Sequence, residues 1–332
     1  MSTIVLTIIT AIIGAVLGTV FTKLLIPKLK EKQMGQNIRE EGPEAHKAKA
    51  GTPSMGGIAI IGAVTIAMAA GCVIARSSAA GGIVPVMADA GVILAGFILF
   101  GLLGFMDDYL KVIKKENEGL KVLPKFGAQL AIAVGLALYM TYATPNGSHV
   151  YIPIYGQTVD FGIWYIPFVV FTLVAMVNAV NLTDGLDGLA SSVTIVVSAA
   201  LCSISSVFNA QASNLFFAAL MGGCLGFLVF NKNPAKVFMG DTGSLALGGG
   251  LTVAAIVMKA ELFLPIIGII YVLEALSVCM QVTYFKMTHG KRIFRMTPLH
   301  HHFELGGMSE KKVVLMFTVI TAVACFIGIM MI

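Results

Sequence analysis

The chain has 332 residues, 57% of them apolar and only 12% charged, with a mean hydropathy of +0.90 and a formal net charge of +5. Soluble domains carry about 25% charged residues, so a soluble globular domain, a disordered chain and a collagen-like chain are all excluded. The apolar residues fall in blocks of about 20, long enough to cross a ~30 Å hydrocarbon core as a helix. The sequence therefore predicts an all-α polytopic membrane protein.

In chain order the predicted spans are Ile4–Ile26, Met55–Ala75, Val86–Met106, Phe126–Tyr142, Ile163–Val180, Leu189–Phe208, Leu215–Phe230, Ser244–Met258, Leu262–Phe285 and Val313–Ile332. The first has no basic segment before it and no A-x-A site, so it reads as a span rather than a cleaved signal peptide. Ten spans place both termini on one side. The alternating loops then put 20 of the 22 Lys and Arg on the other side, leaving only Arg76 and Lys259. The positive-inside rule makes the charge-rich side cytoplasmic and both termini external. It also assigns the basic balance to cytoplasmic loops rather than to nucleic acid. Between the fourth and fifth spans, HVYIPIYGQTVDFG alternates around Tyr-Gly-Gln and predicts a short β-hairpin on the external side. With no repeat or linker, residues 1–332 read as one domain.

Cys72, Cys202, Cys224, Cys279 and Cys325 lie inside apolar blocks and read as small hydrophobes. No CxxC or Cys/His ligand spacing supports a disulfide framework or a zinc site.

The informative polar residues sit at span ends. Asp107 and Asp108 close the third span in GFMDDYLK, and Asp184 and Asp187 lie in NAVNLTDGLDGLA. Asp241 lies in FNKNPAKVFMGDTGS, and His300, His301 and His302 in MTPLHHHFELGG. All four groups fall on the cytoplasmic side of the topology. Asp187 and Asp241 also suit helix N-caps, and Lys111 suits an i,i+4 partner for Asp107. Adjacent carboxylates at a membrane boundary repel each other and lose solvation, a cost that a metal ion or a proton relay relieves. Consecutive histidines cannot all point one way, so a three-histidine zinc site is disfavoured and contact of one or two rings with phosphate is easier to build. Hard carboxylate oxygens, glycine-rich turns and Lys, Arg and His at one interface suit Mg²⁺ and a phosphorylated substrate. The residues alone thus point to a membrane enzyme of Mg²⁺-assisted phosphoryl chemistry. A transporter would place its acids mid-span, where only Glu274 lies.

GTPSMGG (51–57), GFMDDYLK (104–111), NLTDGLDGL (181–189), FNKNPAKVFMGDTGSL (230–245) and TPLHHHFEL (297–305) resemble the phospho-N-acetylmuramoyl-pentapeptide-transferase family along essentially the whole chain. DDY and MGDTGS are shared with the wider superfamily of polyprenyl-phosphate sugar-1-phosphate transferases, and PLHHHFE resembles this family in particular. Ala50 and Ser54 depart from it, standing where Lys and Thr are more usual. The resemblance implies ten transmembrane helices, commonly as a homodimer, in the bacterial cytoplasmic membrane. It implies transfer of phospho-MurNAc-pentapeptide from UDP-MurNAc-pentapeptide to undecaprenyl phosphate, giving lipid I and UMP, with Mg²⁺. By motif, Asp241 would be the Mg²⁺ ligand, and Asp107 and Asp108 would serve the lipid phosphate as base or electrostatic support. Lys49, Gly185, Asp187, Asn231 and Phe238 would line the uridine pocket, Asn181 and Asp184 would lie close by, and the three histidines would contact the phosphate region. Lys111 and Lys125 join the set as substrate-binding cations. A related transferase taking GlcNAc-1-phosphate is the alternative within the superfamily.

Overall fold

The computed structural model describes residues 2–31, 49, 51–78, 83–112, 119–144 and 147–332. Ala50 lies outside them, as do Lys32, Arg39, Lys47, Lys114 and Lys115, five of the cations counted on the charge-rich side. Ten described helices are long and apolar enough to cross a membrane. They are α1 (Thr3–Glu31), α2 (Gly57–Ser78), α3 (Ile83–Val112), α4 (Val122–Tyr142), α5 (Tyr165–Thr183), α6 (Leu189–Val207), α7 (Gln211–Asn231), α8 (Gly240–Val257), α9 (Ile269–Met287) and α10 (Glu310–Ile329). The predicted hairpin forms between α4 and α5: β1 (His149–Ile152) pairs antiparallel with β2 (Gln157–Asp160), Val150 opposite Val159.

Two predicted boundaries move for identifiable reasons. The ninth span begins later than Leu262, because Pro265 opens a single turn, Leu264–Ile267, that closes at Gly268 before α9 starts. The third span does not end at Met106. Helix α3 runs on to Val112, so Asp107, Asp108 and Lys111 lie on its last turns.

The bundle is arranged around α8, the most buried span, which packs against α3, α5, α2 and α7. Eleven of the eighteen residues in its sequence GDTGSLALGGGLTVAAIV are Gly, Ala, Ser or Thr, and small residues let helix backbones approach closely where no hydrophobic force separates protein from lipid. The outer helices face the other way. In α1, Ile4, Ile8, Ile12, Val16 and Val20 recur every four residues on the exposed face, while Thr10, Ala11, Gly14, Gly18 and Thr22 are buried. Bulky aliphatic groups face hydrocarbon and small ones face protein. Four of the five cysteines are buried among apolar side chains as expected, and Cys279 lies on the exposed face of α9.

Just beyond the C-terminal end of α8, Lys259 is buried beside the hairpin. Its ammonium donates to the Gly147 carbonyl at 2.6 Å and to the Tyr165 hydroxyl at 2.8 Å, and lies 4.4 Å from the centre of the Tyr165 ring. Tyr165 in turn donates to Glu261 at 2.9 Å, and the Lys259 carbonyl accepts the Tyr151 N–H of β1 at 3.0 Å. Burial pulls the Lys259 ammonium below its ordinary pKa and pushes the Glu261 carboxyl up to about 7.

Candidate active site

At the opposite end of α8, a close helix crossing assembles the carboxylates. A Cβ on Gly104 of α3 would overlap the Asp241 carbonyl oxygen, so glycine at this position is what lets α3 close onto the start of α8. One turn farther along α3, Asp107 and Asp108 then face Asp241. Ligand oxygens of the three acids lie within 4.8 Å of one another.

The three acids have different surroundings. Asp108 accepts the Asp241 N–H at 3.1 Å, the Thr242 N–H at 2.8 Å and the Thr242 hydroxyl at 2.6 Å. It caps α8 from another helix, satisfying N–H groups that have no partner within α8. Asp107 is equally buried and accepts the Leu120 N–H at 2.9 Å, while its other oxygen pairs with Lys111 and lies 3.4 Å from Lys125. Asp241 is more open. Its Oδ2 takes Lys125 at 2.5 Å and Lys111 at 3.1 Å, and its Oδ1 accepts Asn181, which also donates to Ser244. Two ammonium groups thus lie between two carboxylates and offset their mutual repulsion. The Lys111 side chain is 34% exposed and Lys125 19%, against 1% for Asp107. The acids are fixed, and the cations have room to turn. Asp184, half-buried nearby, has its carboxyl pushed well above the ordinary range by burial first and then by the charges of Asp241, Asp108 and Asp187.

A second cluster lies beside the first. Asp187 takes the Lys49 ammonium at 2.7 Å, Asn233 at 3.1 Å and the Ala235 N–H at 3.0 Å. Glu310 takes Lys49, the Asp187 N–H and Asn233, each at 2.6 Å. Burial lowers the Lys49 pKa, but the hydrogen bonds that Lys49 donates to Asp187 and Glu310 outweigh it, so the ammonium is held above its ordinary value. Asn231 is engaged at both ends: it accepts Ser191 at 3.2 Å and donates to the Val237 carbonyl at 3.0 Å. Asn231 therefore shapes the 231–239 loop from within. The Phe238 backbone bridges to Pro53 and Gly56 at 2.8 and 2.9 Å, leaving its ring half-buried.

The three histidines take three separate partners. His300 is buried, with its N–H on Glu274 Oε1 and its Nδ1 facing Glu274 Oε2, both at 3.2 Å. A Cβ on Gly185 would overlap His300 Nε2, so glycine there admits the imidazole edge. Nε2 finds no hydrogen-bond partner and points at the 184–187 turn. His301 pairs with Glu304 at 3.0 Å, and His302 accepts the Arg295 N–H at 3.1 Å. His300 is placed against the acid-bearing turn. Among the described residues, the cluster of metal-ligating side chains contains no His or Cys.

Several sequence expectations are corrected by this geometry. Asp187 and Asp241 are not N-caps: Gly188 and Met239 stand at those positions, and both carboxylates turn to cations and amides instead. Lys111 does pair with Asp107 across one turn but also reaches Asp241. Sequence reasoning missed Glu310 and Asn233. It noted Glu274 only as an isolated mid-span acid, and the only signal for its partner was the need of a buried carboxylate for a donor.

Residues 90–259 match the model of Glycosyl transferase family 4, and residues 49–61 match Phospho-N-acetylmuramoyl-pentapeptide-transferase signature 1. A phospho-N-acetylmuramoyl-pentapeptide-transferase of Heliobacterium modesticaldum is 45% identical over 307 residues, covering 92% of each chain. One of Alkaliphilus metalliredigens is 46% identical over 318 residues, again covering 92% of each, and one of Clostridium perfringens is 46% identical over 310 residues, covering 93% of each. With that identity sustained over nearly its whole length, the chain belongs to the phospho-N-acetylmuramoyl-pentapeptide-transferase family.

Proposed function

We propose that this protein transfers phospho-MurNAc-pentapeptide from UDP-MurNAc-pentapeptide to undecaprenyl phosphate, releasing UMP and forming lipid I in the membrane. The observation that carries this reading is family membership sustained over more than nine-tenths of both chains. The acid–lysine arrangement at the start of α8 supplies the chemistry. A lipid phosphate oxygen bonds to the β-phosphorus of the donor, the bond from that phosphorus to the bridging oxygen breaks, and UMP leaves with that oxygen.

The residues fit Mg²⁺. Three hard carboxylates converge within 4.8 Å, and Mg²⁺ needs only one or two of them beside water and substrate phosphate. Asp241, the most open of the three, would hold it, while Asp108 is committed to capping α8. When bound, Mg²⁺ supplies charge neutralisation on the diphosphate. Lys111 and Lys125 swing from Asp241 to the phosphates, offsetting the repulsion between two anionic substrates. Asp107 then keeps its backbone hydrogen bond and faces the lipid phosphate, as base or electrostatic support. Since the second pKa of a phosphate is about 6, proton removal matters most below neutral pH. Phe238 presents a half-buried ring to stack on uracil. The charge asymmetry of the loops supports a cytoplasmic location for this end of the bundle, with both termini external, and lipid phosphate and nucleotide would then meet at the inner interface. The proposed assembly is a homodimer.

The test is UMP release by the detergent-purified chain given UDP-MurNAc-pentapeptide, undecaprenyl phosphate and Mg²⁺. The reading expects one UMP per lipid I and none without the lipid. Turnover of UDP-GlcNAc with none of UDP-MurNAc-pentapeptide would replace it with the related GlcNAc-1-phosphate transfer.

A further inference from the structure

We infer that Glu310 is a positioning residue of the donor-nucleotide pocket, acting through Lys49 and the 184–188 turn. An acid in the first turn of a helix usually faces water and complements the helix dipole. Glu310 has that position in α10, behind the N-cap residue Ser309, yet its side chain is only 13% exposed. Its two oxygens accept three hydrogen bonds at 2.6 Å, from the Lys49 ammonium, the Asp187 N–H and the Asn233 amide. Four separate parts of the chain meet on this one carboxylate: residue 49, the turn before α6, the loop before α8, and the start of α10.

The charge balance decides what the cluster does. Lys49 directs two of its three hydrogens at carboxylates, Asp187 and Glu310. Two acids and one ammonium leave these described groups with a net charge of about −1. Such a group does not present a free cation to a diphosphate. It is a fixed set of acceptors, suited to the N–H and hydroxyl groups of a uracil and a ribose. Glu310 therefore governs donor binding and not the lipid substrate, whose phosphate belongs with Asp107, Lys111 and Lys125. The inference rests on the donor reading proposed above.

The experiment measures donor and lipid-phosphate KM separately in the full-length chain, with UDP binding followed by calorimetry. Glu310→Ala should raise the donor KM by about tenfold or more, the size of one good hydrogen-bonded contact. Its lipid-phosphate KM and Mg²⁺ requirement should be unchanged. Glu310→Gln keeps one oxygen for Lys49 and the Asp187 N–H but turns an amide toward Asn233, so it should fall between. Lys49→Met combined with Glu310→Ala should have a donor KM within about twofold of Lys49→Met alone, because the second residue acts through the first. An unchanged donor KM in Glu310→Ala overturns the inference. So does a parallel rise in both KM values with loss of thermal stability, which would make Glu310 a packing residue. Absence of wild-type turnover overturns the transferase reading instead. In that event weaker UDP binding by Glu310→Ala than by wild type still supports the inference, and equal or absent binding overturns it.

Discussion

Helix α8 ends in a buried ionic cluster at both termini, about 27 Å apart at 1.5 Å per residue, built from similar groups and completed differently. At the C-terminal end, Lys259 is closed in by a backbone carbonyl, a tyrosine hydroxyl and an aromatic face, and Tyr165 passes the contact on to Glu261. At the N-terminal end, three acids face two lysines that remain a fifth to a third exposed. The Lys259 cluster binds the hairpin to the bundle. The Asp241 cluster has cations that can leave. The difference separates a cluster closed in by the fold from one whose cations the proposed function turns to substrate, and it lies in what surrounds the charges rather than in the charges themselves.

The comparison can be broken at several points. Lys259→Met leaves the buried Glu261 carboxyl without the ammonium that reaches it through the Tyr165 hydroxyl, at about 1–3 kcal/mol for a buried polar group left unmatched. Thermal unfolding in detergent should show that loss, and Lys259→Met with Glu261→Gln should recover most of it. At the other end, Asp108→Ala removes the acceptor for the Thr242 N–H and hydroxyl, at about 1–3 kcal/mol for buried donors left unmatched. A stability unchanged by Asp108→Ala would remove its capping role. Glu274→Gln should lower kcat by about tenfold, about 1.4 kcal/mol, with donor KM little changed, because it frees the His300 ring without removing it. A kcat as in wild type would leave the pair purely structural.

The smallest effect is one of pH. Glu261 has a folded-state pKa of about 7 against an ordinary 4.5, so the folded protein holds this proton more tightly than the unfolded chain. That contribution to stability is complete below about 4.5 and is lost as pH rises through 7. Glu261→Gln should therefore flatten the decline of thermal stability across this window, and an unchanged slope would assign the decline to other groups.

Much of this was readable from residues alone, and the gaps have physical causes. The ten spans follow from hydropathy because hydrocarbon tolerates no unpaired backbone, and the hairpin follows from its alternation about a glycine turn. The start of α9 was misplaced because hydropathy does not register the break between Pro265 and Gly268. Asp107, Asp108, Asp184, Asp187 and Asp241 were found as acids at span ends, but their division of labour was not. Capping by Asp108 depends on α3 crossing α8 at Gly104, a contact between residues more than 130 positions apart in sequence. Glu310 looks like an ordinary helix-opening acid until α10 is packed against the 184–188 turn. Local pattern assigns residue types to ends of helices, and only packing decides which of them meet.

The most direct test of the contrast is the initial rate of UMP release by Asp241→Asn and Lys259→Met, compared side by side at equal concentrations of folded protein. Asp241→Asn should lose at least about 100-fold, the scale of removing a group that stabilises transition-state charge, while remaining folded. Lys259→Met should turn over within about twofold of wild type per folded molecule, since its loss falls on stability alone. Wild-type rates in Asp241→Asn at limiting Mg²⁺, or an equal collapse in folded Lys259→Met, would contradict the assignment of chemistry to one end of α8 and architecture to the other.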